Sequence, residues 1–272
     1  MKRHHQALVA ALVIVCAGAV WFWWVHGKNA PPEVATAPAA AVAPPAASAV
    51  AAASMPAIQH PIEVVETPEG PPEPAAILTD LFGRKAVDAL FVLEDLPLRV
   101  AATVDNLGRP TVSSRLWPVR PTAGRFSVET KGDATVIGAD NGLRYTPFLL
   151  AIESLDLPHA TQAYKRLYPQ IQKEYENLGY PNGYFNDRLV EVIDSMLTTP
   201  EPSGPLEVRL PNIEGGAAPA RPWILYEFAD PQLAALPAGQ KLLLRMGPVN
   251  ERRVKARLIE FRQLIAPPPA GH

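Results

Sequence analysis

The stretch ENLGYPNGYFNDRLVEVIDSML, residues 176–197, decides how this chain is read. In Asn177-Leu178-Gly179-Tyr180-Pro181, a glycine just past a helical pattern supplies the left-handed backbone that closes a helix, and the nearby proline prevents continuation. Asn106-Leu107-Gly108-Arg109-Pro110 repeats the pattern and predicts the same ending. Pro181-Asn182-Gly183 suits a β-turn. Asn186 is placed to cap the next helix through its side-chain oxygen. Leu189, Ile193 and Met196 then mark an apolar helical face. The stretch therefore reads as a helix–turn–helix corner, and a corner of this kind belongs to a helical domain.

Working outward, Pro158 opens a helix whose stripe is Ala160, Tyr164, Leu167, Ile171, Tyr175 and Leu178. Pro169 lies inside it and is expected to kink or split it. Upstream, Ile77, Leu81, Val87, Leu90 and Phe91 keep helix spacing. Leu96-Pro97 starts a helix that runs through Val100 and Val104. Thr146-Pro147 opens another through Leu155, and residues 240–246 and 249–265 close the chain as helices separated by Gly247-Pro248. Strands are expected at 126–130 and 134–137. Leu206, Val208 and Leu210 alternate with Glu207 and Arg209, and 223–228 is a second such run. The expected fold class is α+β: a mostly helical globular domain with a small minor sheet over residues 75–266, followed by a disordered tail at 267–272.

Ahead of this domain the composition changes twice. Residues 7–25 contain no charge. Nineteen helical residues at ~1.5 Å each cover roughly 28 Å, close to the hydrocarbon thickness of a bilayer. Trp21, Phe22, Trp23 and Trp24 cluster at the far end, where aromatic belts meet headgroups. Lys2 and Arg3 precede the span and only Lys28 follows it before Arg84, so the positive-inside rule puts residues 1–6 in the cytoplasm and the rest outside. A cleaved signal peptide would end in small residues rather than Trp and Phe. The expectation is an uncleaved transmembrane helix, with the lipid bilayer as a partner through residues 7–25. Residues 26–74 are Ala/Pro-rich and carry Glu33, Glu63, Glu66, Glu69 and Glu73, which predicts a disordered linker. At ~3.1 Å per residue in the polyproline conformation it reaches up to roughly 140 Å.

The formal net charge of −2 conceals a globular part with 22 basic and 22 acidic residues. No concentrated basic face is evident, so nucleic acid is not an expected partner. The single cysteine, Cys16, lies in the apolar span, which leaves no disulfide, Cys nucleophile or Cys metal ligand elsewhere.

The pieces YKRLYPQIQKEYENLGYPNGYFNDRLVEVIDSML, LYEFADPQLAALPAGQKLLLRMGPVN and LPLRVAATVDNLGR give the chain a resemblance to a proteobacterial membrane-anchored family, domain of unknown function 3014. The layout of anchor, Pro/Ala-rich linker and domain is similar to that family's. The resemblance implies a Gram-negative inner-membrane protein with a periplasmic domain. It implies no activity and transfers no functional residues.

The motifs that usually carry catalysis are scarce. Among the six histidines only His159 falls within the domain, in the first turn of a helix. G-x-S-x-G, S-x-x-K, H-E-x-x-H and glycine-rich phosphate loops are missing from the sequence. No catalytic, cofactor-binding or metal-binding residues are assigned, and no cofactor is expected. Asp187, Glu191 and Asp194 share a helical face, the arrangement a carboxylate-dependent hydrolase would use. It is also what the solvated face of an amphipathic helix looks like. Five of the seven tyrosines, Tyr164, Tyr168, Tyr175, Tyr180 and Tyr184, fall within 21 residues. Exposed, they would stack on cell-wall glycan; packed inward, they would form core. Arg109, Arg115, Arg120 and Arg125 share a proline-punctuated loop with Trp117, and no acid intervenes. The final helix carries Arg252, Arg253, Lys255, Arg257 and Arg262 opposite the stripe Val254, Leu258, Phe261 and Ile265. Loops held by a scaffold carry function more often than helix backs. The candidate interaction surface is therefore Arg109, Arg115, Trp117, Arg120, Arg125, Tyr180, Tyr184 and Asp187. The expected role is an envelope interaction or scaffold module that binds an envelope protein, with glycan binding as the alternative and a hydrolase as the remoter one.

Overall fold

A computed structural model describes residues 57–65, 70–211 and 221–266. The predicted span at 7–25, most of the linker and the tail lie outside the described residues. Among the described residues, no helix is long and apolar enough to cross a membrane.

Helices dominate. In chain order they are α1 (Pro74–Phe82), α2 (Arg84–Leu90), α3 (Leu96–Leu107), α4 (Thr146–Glu153), α5 (Leu157–Asn177), α6 (Phe185–Leu197), α7 (Pro231–Ala235), α8 (Ala238–Met246) and α9 (Pro248–Ile265). Proline begins α1, α3, α4, α5, α7 and α9 within their first two positions. There its fixed φ favours the helix, and its missing N–H would have had no intrahelical partner anyway. Asp156 caps α5 by accepting from the His159 N–H at 3.3 Å, and Asp230 caps α7 by accepting from Gln232 N–H at 2.7 Å.

The core is built from α3, α5, α6, α8 and α9, with α4 packed on α9 and α1 on α5. The stripe predicted for the last helix is borne out: Val254, Leu258, Phe261 and Ile265 are all buried. So are Ala160, Tyr164, Leu167, Ile171 and Tyr175 of α5, whereas Leu178 stands past the helix end and is exposed. Pro169 does not split α5, which continues for 21 residues. A proline costs one hydrogen bond and a clash one turn back, and here burial on both sides of it keeps the helix whole. The run with helix spacing from Ile77 to Phe91 forms two helices, divided at Gly83, whose φ of 75° no helix accommodates.

The β-structure is minor, as expected, but more fragmentary. β1 (Val128–Lys131) and β2 (Ala134–Ile137) form an antiparallel hairpin with Val128 opposite Ile137 and Lys131 opposite Ala134. β3 (Val208–Arg209) pairs antiparallel with β4 (Glu227–Phe228). The Ile137 N–H donates to Leu206 O at 2.9 Å, joining the two pieces. Residues 223 and 224, the start of the run predicted as strand, instead belong to a 3-10 turn begun by Pro222. Phe126, Val208, Phe228 and Leu244 make a second, smaller core beneath this sheet.

Candidate interaction surface

The corner between α5 and α6 forms as its sequence predicts at one end only. Gly179 adopts φ 108° and closes α5. Its counterpart Gly108 has φ −75°, so the left-handed ending expected there does not occur. Gly108 is required for a different reason. A Cβ on it would stand 2.5 Å from Arg188 Nη2. The close approach lets Arg188 reach α3, where Nε donates to Asp105 Oδ1 at 3.2 Å and Nη2 to Asp105 O at 3.0 Å. Arg109 pairs with the other oxygen of Asp105 at 2.6 Å, and the Tyr180 hydroxyl donates to the same oxygen at 3.1 Å. Asp105 thus neutralises two guanidinium groups that neighbour it from different directions.

Asn186 does not cap α6, because it lies inside the helix and is fully buried. Its amide nitrogen donates to His60 O at 2.8 Å and Ile265 O at 3.0 Å, while its oxygen accepts from the Tyr164 hydroxyl at 2.9 Å. Gln172 takes the capping task from α5: its oxygen accepts from Phe185 N–H at 2.8 Å, and its nitrogen donates to Gly183 O at 2.8 Å. Buried polar groups must find partners or cost stability. This corner finds them across long sequence distances.

Residues 59–63, expected within the linker, are held on this corner. Asp187 accepts from the main-chain N–H groups of Gln59 at 3.0 Å and His60 at 2.7 Å. The Tyr184 hydroxyl accepts from Ile62 N–H at 2.9 Å. Lys165 pairs with Glu63 at 3.4 Å. Further on, the Gln170 side chain donates to Pro72 O at 2.9 Å.

The tyrosine cluster divides. Tyr164, Tyr168 and Tyr175 are buried. Burial pushes the Tyr164 and Tyr168 hydroxyls well above the ordinary value and that of Tyr175 up to about 12, so all three remain neutral hydrogen-bonding groups. Tyr180 stacks on Tyr175 with ring centroids 4.6 Å apart, and Tyr184 tilts against Tyr168. Both are half-buried.

The arginine loop does not form a joint cationic patch with its tryptophan. Trp117 is a core residue with 2% exposure, so it cannot belong to the candidate surface. The alternating apolar residues Val112, Trp117 and Val119 pin the loop to the helices and leave the arginines at its rim. Arg115 and Arg120 are exposed. Arg125 lies 4.0 Å above the Trp223 ring, and Arg109 belongs to the Asp105 cluster. Of the three helical carboxylates, Asp187 holds the incoming segment, Glu191 pairs with Arg188 at 2.8 Å and Asp194 pairs with Arg262. Each serves a different partner. His159 lies 3.2 Å from Asp80. On α9, Arg253 pairs with Glu153, Arg257 with Glu260, and Lys255 with Glu251 at 2.7 Å.

Two of the concavities among the described residues lie beside α8. One, of about 460 Å³, runs between the 3-10 turn Ala139–Tyr145 and the start of α9. Leu143 and Val249 at its edge are 72% and 60% exposed. The other, of about 240 Å³, lies between the 110–112 loop, β4, α7 and α8 and holds Lys241 and Arg245. Neither cation belongs to a sequence motif. Only their position in the fold distinguishes them.

Against known proteins, a family model described as "Protein of unknown function (DUF3014)" matches residues 96–262, more than half of the chain, and the chain belongs to that family. No curated protein and no solved structure matches it.

Proposed function

We propose that this member of the DUF3014 family is a single-pass inner-membrane protein whose domain is presented in the periplasm on an Ala/Pro-rich spacer and binds an envelope protein there. The observation that carries the reading is the docked segment. Asp187, Asn186 and Tyr184 bind main-chain groups of Gln59, His60 and Ile62, so the spacer meets the domain at a fixed point. A domain joined in this way is presented in a set orientation, which suits capture of a partner. Arg109, Glu191 and Asp194 are meanwhile engaged in ion pairs with Asp105, Arg188 and Arg262, and this supports a structural use for them. The anchor rests on the uncharged span 7–25 with its basic leader and Trp cluster.

Photo-cross-linking of the full-length protein in cells tests the proposal. A photoreactive residue at Leu143 or Val249, the most exposed large apolar positions among the described residues, is expected to trap one envelope protein reproducibly. Adducts only with itself, or none at either position, would overturn it. The glycan alternative rests on the half-buried Tyr180 and Tyr184, since the other three tyrosines of the cluster are in the core. On the preferred reading, the full-length protein in detergent does not pellet with purified sacculi.

A further inference from the structure

Arg245 occupies an unusual electrostatic position. It lies on α8 with 9% exposure. Among the described residues its side chain makes one hydrogen bond, from Nη2 to Tyr226 O at 3.0 Å, and its guanidinium lies 5.3 Å from the Phe228 ring centroid. Its Nε is buried without a partner among the described residues. No carboxylate among the described residues lies within ion-pair distance, in contrast to the other cations of the helical core such as Arg188, Arg257 and Lys255. A buried charge with one carbonyl and a ring for company is costly to retain.

What Arg245 faces suggests why it is retained. With Lys241 it lines the 240 Å³ pocket, whose remaining walls include Val112, Phe228, Ala234 and Leu242. Lys241 Nζ donates to Pro110 O at 2.8 Å and Ala234 O at 2.9 Å, which fixes the ammonium in the wall and leaves one of its three donors over. Burial lowers the basicity of both groups, and the charge of Arg245 adds to the lowering at Lys241. Glu227 also lines the pocket without pairing with either at contact distance. Two cations and one carboxylate leave the lining with a single positive charge. The volume lies just below the ~300 Å³ at which drug-sized ligand sites begin.

We propose that this pocket binds a small monocarboxylate with an apolar body, its carboxylate received by Arg245 and Lys241 and its hydrocarbon part by Val112, Phe228, Ala234 and Leu242. The single net positive charge favours a monoanion over a phosphate dianion. The planar guanidinium matches a carboxylate's two oxygens. The apolar walls select against small inorganic ions, which would be desolvated there without compensation. Both a free acid and the C-terminus of a polypeptide carry this chemistry.

Isothermal titration of the full-length protein in lipid nanodiscs tests the proposal, with hexanoate as probe and hexan-1-ol as its uncharged counterpart. Saturable 1:1 binding of hexanoate is expected, with hexan-1-ol weaker by about thirtyfold, the loss expected when one partner of a buried charge pair is missing. Arg245→Met should abolish the preference, and Lys241→Met should reduce it. Either variant suffices if the other fails to fold. A further arm uses acetyl-Ala-Leu with a free C-terminus. Tighter binding of the dipeptide or of hexanoate identifies the source, and either supports the pocket. Equal binding of hexanoate and hexan-1-ol, no saturable heat from either acid, or a preference that survives both substitutions would overturn the proposal.

Discussion

The α5–α6 corner and the α8 pocket both set cationic side chains against the core, but they handle the charge differently. At the corner, Arg188 and Arg109 converge on Asp105. In the pocket, Arg245 has a carbonyl and an aromatic ring instead. The corner was conspicuous in the sequence and proves to be internally satisfied. The pocket was inconspicuous, yet its arginine is left without a contact ion pair within the described residues. Dense polar motifs can be consumed in holding a fold together, so an unmatched buried charge is the better pointer to a ligand.

The contrast can be broken most forcefully at Asp105. Asp105→Ala should lower stability by about 3 kcal/mol in urea unfolding, because both arginines lose their shared carboxylate. Asn186→Ala should follow at about 2 kcal/mol, since it leaves His60 O, Ile265 O and the Tyr164 hydroxyl short of a partner. Arg245→Met should have the opposite sign, leaving stability unchanged or raising it by about 1 kcal/mol, because an apolar side chain replaces an uncompensated charge. Asp187→Ala should cost less than about 1 kcal/mol globally. It should nevertheless accelerate exchange of the Gln59, His60 and Ile62 amides about tenfold through local opening.

The smallest effect concerns pH. Burial raises the Glu251 carboxyl above its ordinary value despite Lys255 beside it. A raised folded value means the native state holds the proton more tightly than the unfolded chain. The stabilisation is therefore complete below the ordinary carboxylate value and is lost as pH rises through the folded one. Glu251→Gln should remove that component, seen as a flatter pH dependence of stability than in the unsubstituted protein.

Much of the helical frame was legible locally. Pro97, Pro147 and Pro158 announced helix starts, and the stripes of α5 and α9 announced the buried faces. The misreadings share one cause. Asn186 and Gly108 carry local signals for a cap and a left-handed turn, but their uses are set by His60, Ile265 and Arg188, residues distant in sequence. Trp117 sits in a loop whose composition suggests exposure, and tertiary packing draws it into the core. The docked segment around His60 had no periodicity to reveal it, because it is held through main-chain groups. Arg245 resembled any basic residue near a helix end until its surroundings were known.

Hydrogen exchange of the full-length protein in nanodiscs, with and without hexanoate, tests the contrast most directly. The account predicts saturable slowing at residues 226–228 and 241–245 and unchanged exchange at residues 59–62. No change at the pocket, or equal slowing at both regions, would contradict it.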